Sequence, residues 1–320
     1  MVAFLLRRAA FGLLSVFAAA SLAFLLAWHA PGGPAVGLAG DSGAPGYLEE
    51  VAARFGLDRP AWQVWLEWLG RLLRGDLGTS WREGAPVAVL IAERLPLTLA
   101  LTIGAASLAV LAGTLIGLAA AARESRAWPA AALAALHAVP GYVAAQALVA
   151  VFALGLGLLP VQGIADARDP ATDGLALLAE RARHLALPVL ALAAHQLCFV
   201  GLLVRAGLIE EMRRPYVTAA MARGMARSVA RRRHALPNAL LPVATLTAAR
   251  FGGLVGGALV IETAFALPGL GRLAVTAAVA RDHPVVIGCV VTAAALAWAA
   301  NLVADLLAPV IDPRLCERPR

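Results

Sequence analysis

A chain of 320 residues that is 61% hydrophobic, with a mean hydropathy of +0.78, is too apolar for a soluble domain and reads as an all-α, polytopic membrane protein. Its net charge of +7 rests on 27 basic residues, every one of them arginine. Without lysine the phosphate-binding loop G-x-x-x-x-G-K-[ST] cannot be written, so any ATP that drives this protein is bound by another chain. Cys198, Cys289 and Cys316 lie far apart and the six histidines are scattered, which argues against disulfides, a metal site or another cofactor. No triad or metal motif is present, so the chain is read as no enzyme, and its basic residues as membrane-facing charge without a nucleic-acid partner.

Arg7 and Arg8 precede an uncharged run from Ala9 to Trp28, long enough at 1.5 Å per residue to cross about 30 Å of hydrocarbon. Trp28-His29 is a poor small-residue cleavage site, so residues 1–28 are read as an uncleaved first span with a cytoplasmic N-terminus. Residues 29–94 form a polar outer loop opening on Pro31-Gly32-Gly33-Pro34. Tyr47–Arg74 reads as helical, with Trp62, Trp65, Leu66 and Leu69 on one apolar face. The tryptophans at 62, 65, 68 and 81 are expected to anchor at the membrane interface.

The membrane-embedded core is read as 95–309. Its second span runs from Leu95 to Ala122 and its third from Ala130 to Leu159, with Pro140-Gly141 breaking the backbone inside it. A polar loop with Asp166, Asp169 and Asp173 leads to a fourth span, His184–Leu208. The fifth, Ala239–Ile261, carries Gly252, Gly253, Gly256 and Gly257, read as a close helix contact. An outer connection follows, and the sixth span, Pro284–Ala308, ends in a cytoplasmic tail at 310–320. Arginine is denser in the segments assigned inside (15 in 59 residues) than outside (11 in 114), which puts both termini in the cytoplasm.

Between the fourth and fifth spans, residues 205–238 are basic and polar. Arg223, Arg227 and Arg231 recur every four residues and are expected to form one charged helical stripe. Gly224 is expected to break the helix behind Thr218, Ala219, Ala220 and Ala222, and Pro237 to interrupt the next one. Thr218-Ala219-Ala220, three residues, Gly224, nine residues, then His234-Ala235-Leu236-Pro237 resembles the E-A-A-x3-G-x9-I-x-L-P loop of bacterial ABC importer permeases. Thr218 stands for Glu and His234 for the aliphatic residue; the first departure is usual in the dipeptide/oligopeptide branch. Gly75-Asp76-Leu77-Gly78-Thr79-Ser80, Glu93 to Thr98, Glu262-Thr263, Pro268 to Arg272, Arg281 to Val286, Asn301 to Asp305 and Asp312-Pro313-Arg314 resemble further strings of that family, in order, over nearly the whole chain.

The resemblance implies a type I importer permease fold of six transmembrane helices in the bacterial inner membrane. It implies a homologous second permease subunit, two cytoplasmic ATP-binding subunits and a periplasmic substrate-binding protein. The loop residues Tyr216, Thr218, Ala219, Ala220, Gly224, Leu236 and Pro237 would engage an ATPase subunit. Peptides lead as substrate, with nickel, opines, glutathione and sugars open. Among intramembrane ionisable residues, Arg250 and Glu262 are candidates for the pathway, His137 and His195 for helix–helix hydrogen bonding, and Asp305 for structural pairing. An ion-coupled secondary transporter using His137, His195 or Arg250 is the alternative; it predicts discontinuous helices.

Overall fold

A computed structural model describes residues 2–30, 46, 53, 58–166 and 174–311. The Pro31–Pro34 loop, the start of the Tyr47 helix, Asp169, Asp173, Asp312-Pro313-Arg314 and Cys316 lie outside the described residues. Among the described residues the chain is helical without a strand, save one isolated bridge between Thr79 and Pro86. Four helices are long and apolar enough to cross a membrane: α1 (Val2–Trp28), α3 (Val87–Ala121), α6 (Gly174–Glu211) and α12 (His283–Ile311). Counting each of two bent helix pairs as one span brings the number to six. Between them lie α2 (Ala61–Leu72), α4 (Trp128–His137), α5 (Gly141–Leu148), α7 (Pro215–Ala222), α8 (Arg227–Ala230), α9 (Leu236–Ala249), α10 (Phe251–Ala264) and α11 (Leu270–Val279).

The first bent pair is α4 and α5, the latter extended by a π-helical stretch at Val149–Gly155, with a 99° bend. Its cause is local: Pro140 lacks an N–H and forces its neighbour away from helical angles, so α5 restarts at Gly141. The second is α9 and α10, bent by 59° at Arg250. The fifth span is therefore two helices, and Arg250 is the hinge residue rather than the midpoint of a continuous rod.

The chain divides into two compact units. Unit 1 comprises 1–99 and 266–298. Val87, Leu90 and Ile91 pack there against Leu270, Leu273, Ala277, Val285 and Cys289, and a second cluster joins Phe24, Val64 and Ile287. The α2 face that packs on α1 is Val64, Trp65 and Trp68: Trp65 meets Phe17 edge-on and Trp68 stacks on Phe24. Trp62 and Leu66 do not join that packing and are exposed.

Motif strings far apart in sequence meet in this unit. Ser80 Oγ donates to Asp282 Oδ2 at 2.5 Å, and the Trp81 and Arg82 amides donate to the same carboxylate at 3.1 and 3.3 Å. Ser80 Oγ also accepts from the Glu83 amide at 2.9 Å. Thr98 Oγ1 accepts the Leu270 amide at the start of α11, 2.9 Å away. G-D-L-G-x-S is thus pinned by R-D-H-P, and E-R-L-P-x-T caps P-G-L-G-R-L.

Unit 2 comprises 100–265 and 299–320. Its core joins Ala121 of α3, Val200, Val204 and Leu208 of α6, Met212, Val217, Ala230 and Ala235 of the loop that follows, and Ala239 and Val243 of α9. α3 and α6 bring their backbones close together. A Cβ on Gly113 would stand 2.8 Å from the Leu197 carbonyl oxygen, and one on Gly117 2.7 Å from that of Gly201. Of the glycines in the Gly252–Gly257 stretch, a Cβ on Gly253 or Gly256 would meet nothing of this chain within 4 Å, and one on Gly257 would lie 3.1 Å from Leu192.

Two outcomes follow. Gly117→Leu forces backbone apart where no side chain can yield, and overpacking of this kind costs about 1–3 kcal/mol or more. Its folded yield in detergent should collapse while that of Gly253→Leu stays normal; equal yields would refute the packing assignment. Asp282→Ala leaves the buried Ser80 hydroxyl and two amides without their acceptor, at roughly 1–3 kcal/mol. The purified protein should melt several degrees lower, and an unchanged melting temperature would show that the clamp contributes nothing.

Candidate functional site

The loop after α6 is a folded object. Arg214 enters α7 in an extended conformation (φ −69°, ψ 144°), and Pro215 sits at the first helical position, where a missing N–H costs nothing. At the other end Gly224 has φ +91°, a conformation that side chains with a Cβ rarely adopt. Its amide donates to the Met221 carbonyl at 2.9 Å and the Met225 amide to that of Ala220 at 3.3 Å, the paired bonds of a Schellman ending. The break expected at Gly224 is therefore present, with its hydrogen bonds supplied locally.

The same ending removes the expected arginine stripe. Arg223 caps α7, whereas Arg227 opens α8 beyond the turn, so Arg223, Arg227 and Arg231 do not share a helix. Nor does Pro237 interrupt the run into the membrane. The backbone widens to a π-helix over Arg231–Ala235, and α9 continues from Leu236 with Pro237 as its second residue. A widened turn before the proline eases the clash between its ring and the carbonyl four residues back.

Burial sorts the loop side chains. Val217 and Ala220 are buried, and Leu236 packs partly buried on the core of unit 2. Ala220, read as part of an outward small-residue surface, faces the chain's own interior. The exposed residues of α7 are Pro215, Tyr216, Thr218, Ala219 and Ala222, followed by Arg223 and Gly224. Their low relief, with Val217 and Ala220 turned inward, suits close approach by another protein.

Polar contacts hold this face in place. Glu124, in the turn after α3, reaches Arg213 before α7 at 3.0 Å and Arg227 of α8 at 3.2 Å, one carboxylate oxygen to each. Tyr216 Oη donates to Glu211 Oε2 at 2.5 Å and accepts from Asn238 Nδ2 at 2.9 Å; Asn238 also donates to the His234 carbonyl. Partial burial, then the bond to Glu211, holds the Tyr216 phenol above its ordinary titration range. Asn238 thereby joins the start of α9 to the start of α7, a role its position in the motif did not reveal.

The second feature of unit 2 is a cavity of about 860 Å³ at both helix bends, lined by residues of the Ala138–Pro140 elbow, α5, α6, α9 and α10. His137 and His195 line it with their rings stacked 3.8 Å apart, each Nδ1 lying 3.0 Å from the other's backbone carbonyl oxygen. The expected helix–helix hydrogen bonding of these histidines is thus present. Arg250 also lines the cavity, its guanidinium carbon 3.8 Å from the centroid of Phe199. Glu262 does not line it: its side chain is fully buried in unit 2, so the pathway role expected for it does not fit its surroundings. No group of three or more potential metal ligands occurs among the described residues.

Comparison with known proteins gives consistent matches. Residues 109–316 match the model of the binding-protein-dependent transport system inner membrane component family, and residues 1–102 match that family's N-terminal membrane component. A putative peptide transport system permease protein of Brucella abortus is 35% identical over 98% of this chain and 99% of the relative. An oligopeptide transport system permease protein of Bacillus subtilis is 30% identical over the same shares. A dipeptide transport system permease protein of Alkalihalophilus pseudofirmus is 33% identical over 89% of this chain and 90% of the relative.

The Glu124 contacts generate a direct test. Glu124→Ala releases both arginines, and trypsin, which cuts after arginine, should cleave between Arg213 and Arg233 several-fold faster while cleavage elsewhere is unchanged. An unaltered cleavage rate would mean that the apolar core alone fixes the loop.

Proposed function

The chain belongs to the family of binding-protein-dependent transport system inner membrane components, and from that premise we propose that it forms half of a peptide pathway and couples to ATPase subunits through α7. Family membership makes it a multi-pass permease component of the inner membrane rather than a catalyst, working with a binding protein and with ATP-binding subunits in general. The finer reading adds a homologous second permease, two cytoplasmic ATPases, and both termini in the cytoplasm.

The observation that carries the coupling role is the exposed face at Thr218, Ala219 and Ala222, on a short helix held at its start through Arg213 and Tyr216 and beyond its end through Arg227. In operation α7 sits in a groove on an ATPase subunit. Closure of the two ATPases on ATP draws the loops together, and because each loop is fixed to α6 and α9 the motion passes into the spans. The pathway then opens outward to receive peptide from the binding protein, and hydrolysis returns it inward. Two sites biasing one two-state element is what energetic coupling requires. The cavity at Arg250 is part of that pathway. Peptides are favoured as cargo by the relatives' names. Broken spans also suit an ion-coupled transporter; α7 and its fixings do not.

Ala219→Trp and Ala220→Trp separate docking from folding. Ala219→Trp should accumulate and insert normally yet lose co-purifying ATPase subunits and peptide uptake, whereas Ala220→Trp, which points into the core, should lower the amount of folded permease. Normal ATPase attachment and uptake in Ala219→Trp would remove the coupling role from α7. Orientation is checked with cysteines at Thr79 and Ser228, both exposed, in a Cys316→Ser background where the native Cys198 and Cys289 are buried. The two should label from opposite sides of the membrane, and labelling of both from the periplasm would reverse the assignment.

A further inference from the structure

We propose that Arg250 is a preorganised clamp for a carboxylate, and that its cavity recognises the C-terminal carboxylate of the peptide in transit; this rests on the pathway reading above. No aspartate or glutamate lines the cavity, and no ion pair to Arg250 occurs among the described residues. The fixed charge there is positive and unanswered by the described residues.

Packing holds that charge. The guanidinium lies over the Phe199 ring, Phe199 lies 6.3 Å between centroids from His137, and His137 stacks on His195. A guanidinium held by its face on an aromatic ring keeps its N–H edge for a planar, two-oxygen partner. The histidines do not compete for that partner through Nδ1. A backbone carbonyl only accepts, so each Nδ1 carries its hydrogen and spends it on the neighbouring helix. Gln196, buried on the α6 wall, also lines the cavity, and its Nε2 has no hydrogen-bond partner among the described residues.

Size and lining choose the ligand class. About 860 Å³ lies in the range of sites that hold organic molecules and far exceeds what a small inorganic anion fills. Leu192, Leu254 and Val260 give apolar wall beside the one cation. A carboxylate on a partly apolar body, as at the end of a short peptide, matches both. Arg250 contacts the substrate; Phe199 is a positioning residue that acts through it.

The test uses the whole complex, with its partner permease, ATPases and binding protein, in phosphatidylcholine vesicles free of anionic lipid. ATP-driven uptake is measured for one short peptide as the free acid and as the C-terminal amide, each saturating the binding protein. The wild type should favour the acid. Arg250→Gln should lower acid uptake by about tenfold or more, the scale of a lost charge-assisted pair, and leave amide uptake within about twofold. Arg250→Lys should keep part of the preference. Phe199→Leu should raise the concentration of acid-loaded binding protein that half-saturates uptake, with little change in maximal rate, and Phe199→Trp should restore it. An equal fall for acid and amide in an intact complex would overturn the clamp and leave Arg250 a general pathway residue. Loss of assembly in both Arg250 variants would overturn it in favour of a structural tie. An Arg250 effect seen only when anionic lipid is added would assign the site to a lipid headgroup instead. Absence of any peptide uptake by the wild type would remove the pathway reading, and the clamp with it.

Discussion

Hydrocarbon offers a backbone no hydrogen-bond partner, and that constraint decides where this chain is allowed to stop being helical. Inside the apolar segments it does so at two bends, the elbow at Ala138–Pro140 and the hinge at Arg250, and both border the same cavity of unit 2. Backbone groups freed at a bend are tolerated where they face protein or a cavity, so two breaks opening on one space imply a space built to be occupied. The same logic governs the charge. An arginine at the centre of a span costs about 2.5–3.5 kcal/mol on insertion scales, a cost that falls when it lies on an aromatic ring beside a cavity.

In the loop after α6 a different balance holds. Its ion pairs are largely exposed, Arg213 at 74% and Arg227 at 68%, and pairs of this kind contribute only about 0–1 kcal/mol each. Burial of Met212, Val217, Ala230 and Ala235 in the core of unit 2 is the larger effect. The apolar core therefore fixes the loop to α6 and α9, while Glu124 and the Tyr216–Asn238 pair set the angle at which α7 is presented. Stability and orientation thus come from separate sets of residues.

Much of this was readable from the sequence. The apolar runs marked the stretches that hold the four long helices and the two bent pairs, and the Gly224 break and Pro140-Gly141 elbow followed from the backbone chemistry of glycine and proline. What escaped was tertiary. Gly113 and Gly117 look no different from the glycines at 252–257, because which glycines meet a carbonyl depends on the neighbouring helix. Asp282 and Ser80 lie 202 residues apart, and no periodicity announces a pairing of that separation. A four-residue recurrence of arginine suggested a stripe only if the helix continued, and the turn at Gly224 decided otherwise. Pro237 was misread because a π-helical turn can absorb a proline that an α-helix cannot. Ala220 and its neighbour Ala219 are chemically identical, so only the rotation of α7 shows which one faces outward.

The central claim is that α7 is the surface through which this permease meets an ATP-binding subunit. A photo-cross-linking side chain placed at Ala222 in the intact inner-membrane complex tests it most directly. The prediction is a single dominant adduct with the ATP-binding subunit, whose yield changes between the ATP-bound and nucleotide-free states, and no such adduct from the same group at Thr79. Cross-linking from Ala222 to lipid alone, or to the binding protein, in both nucleotide states would contradict it.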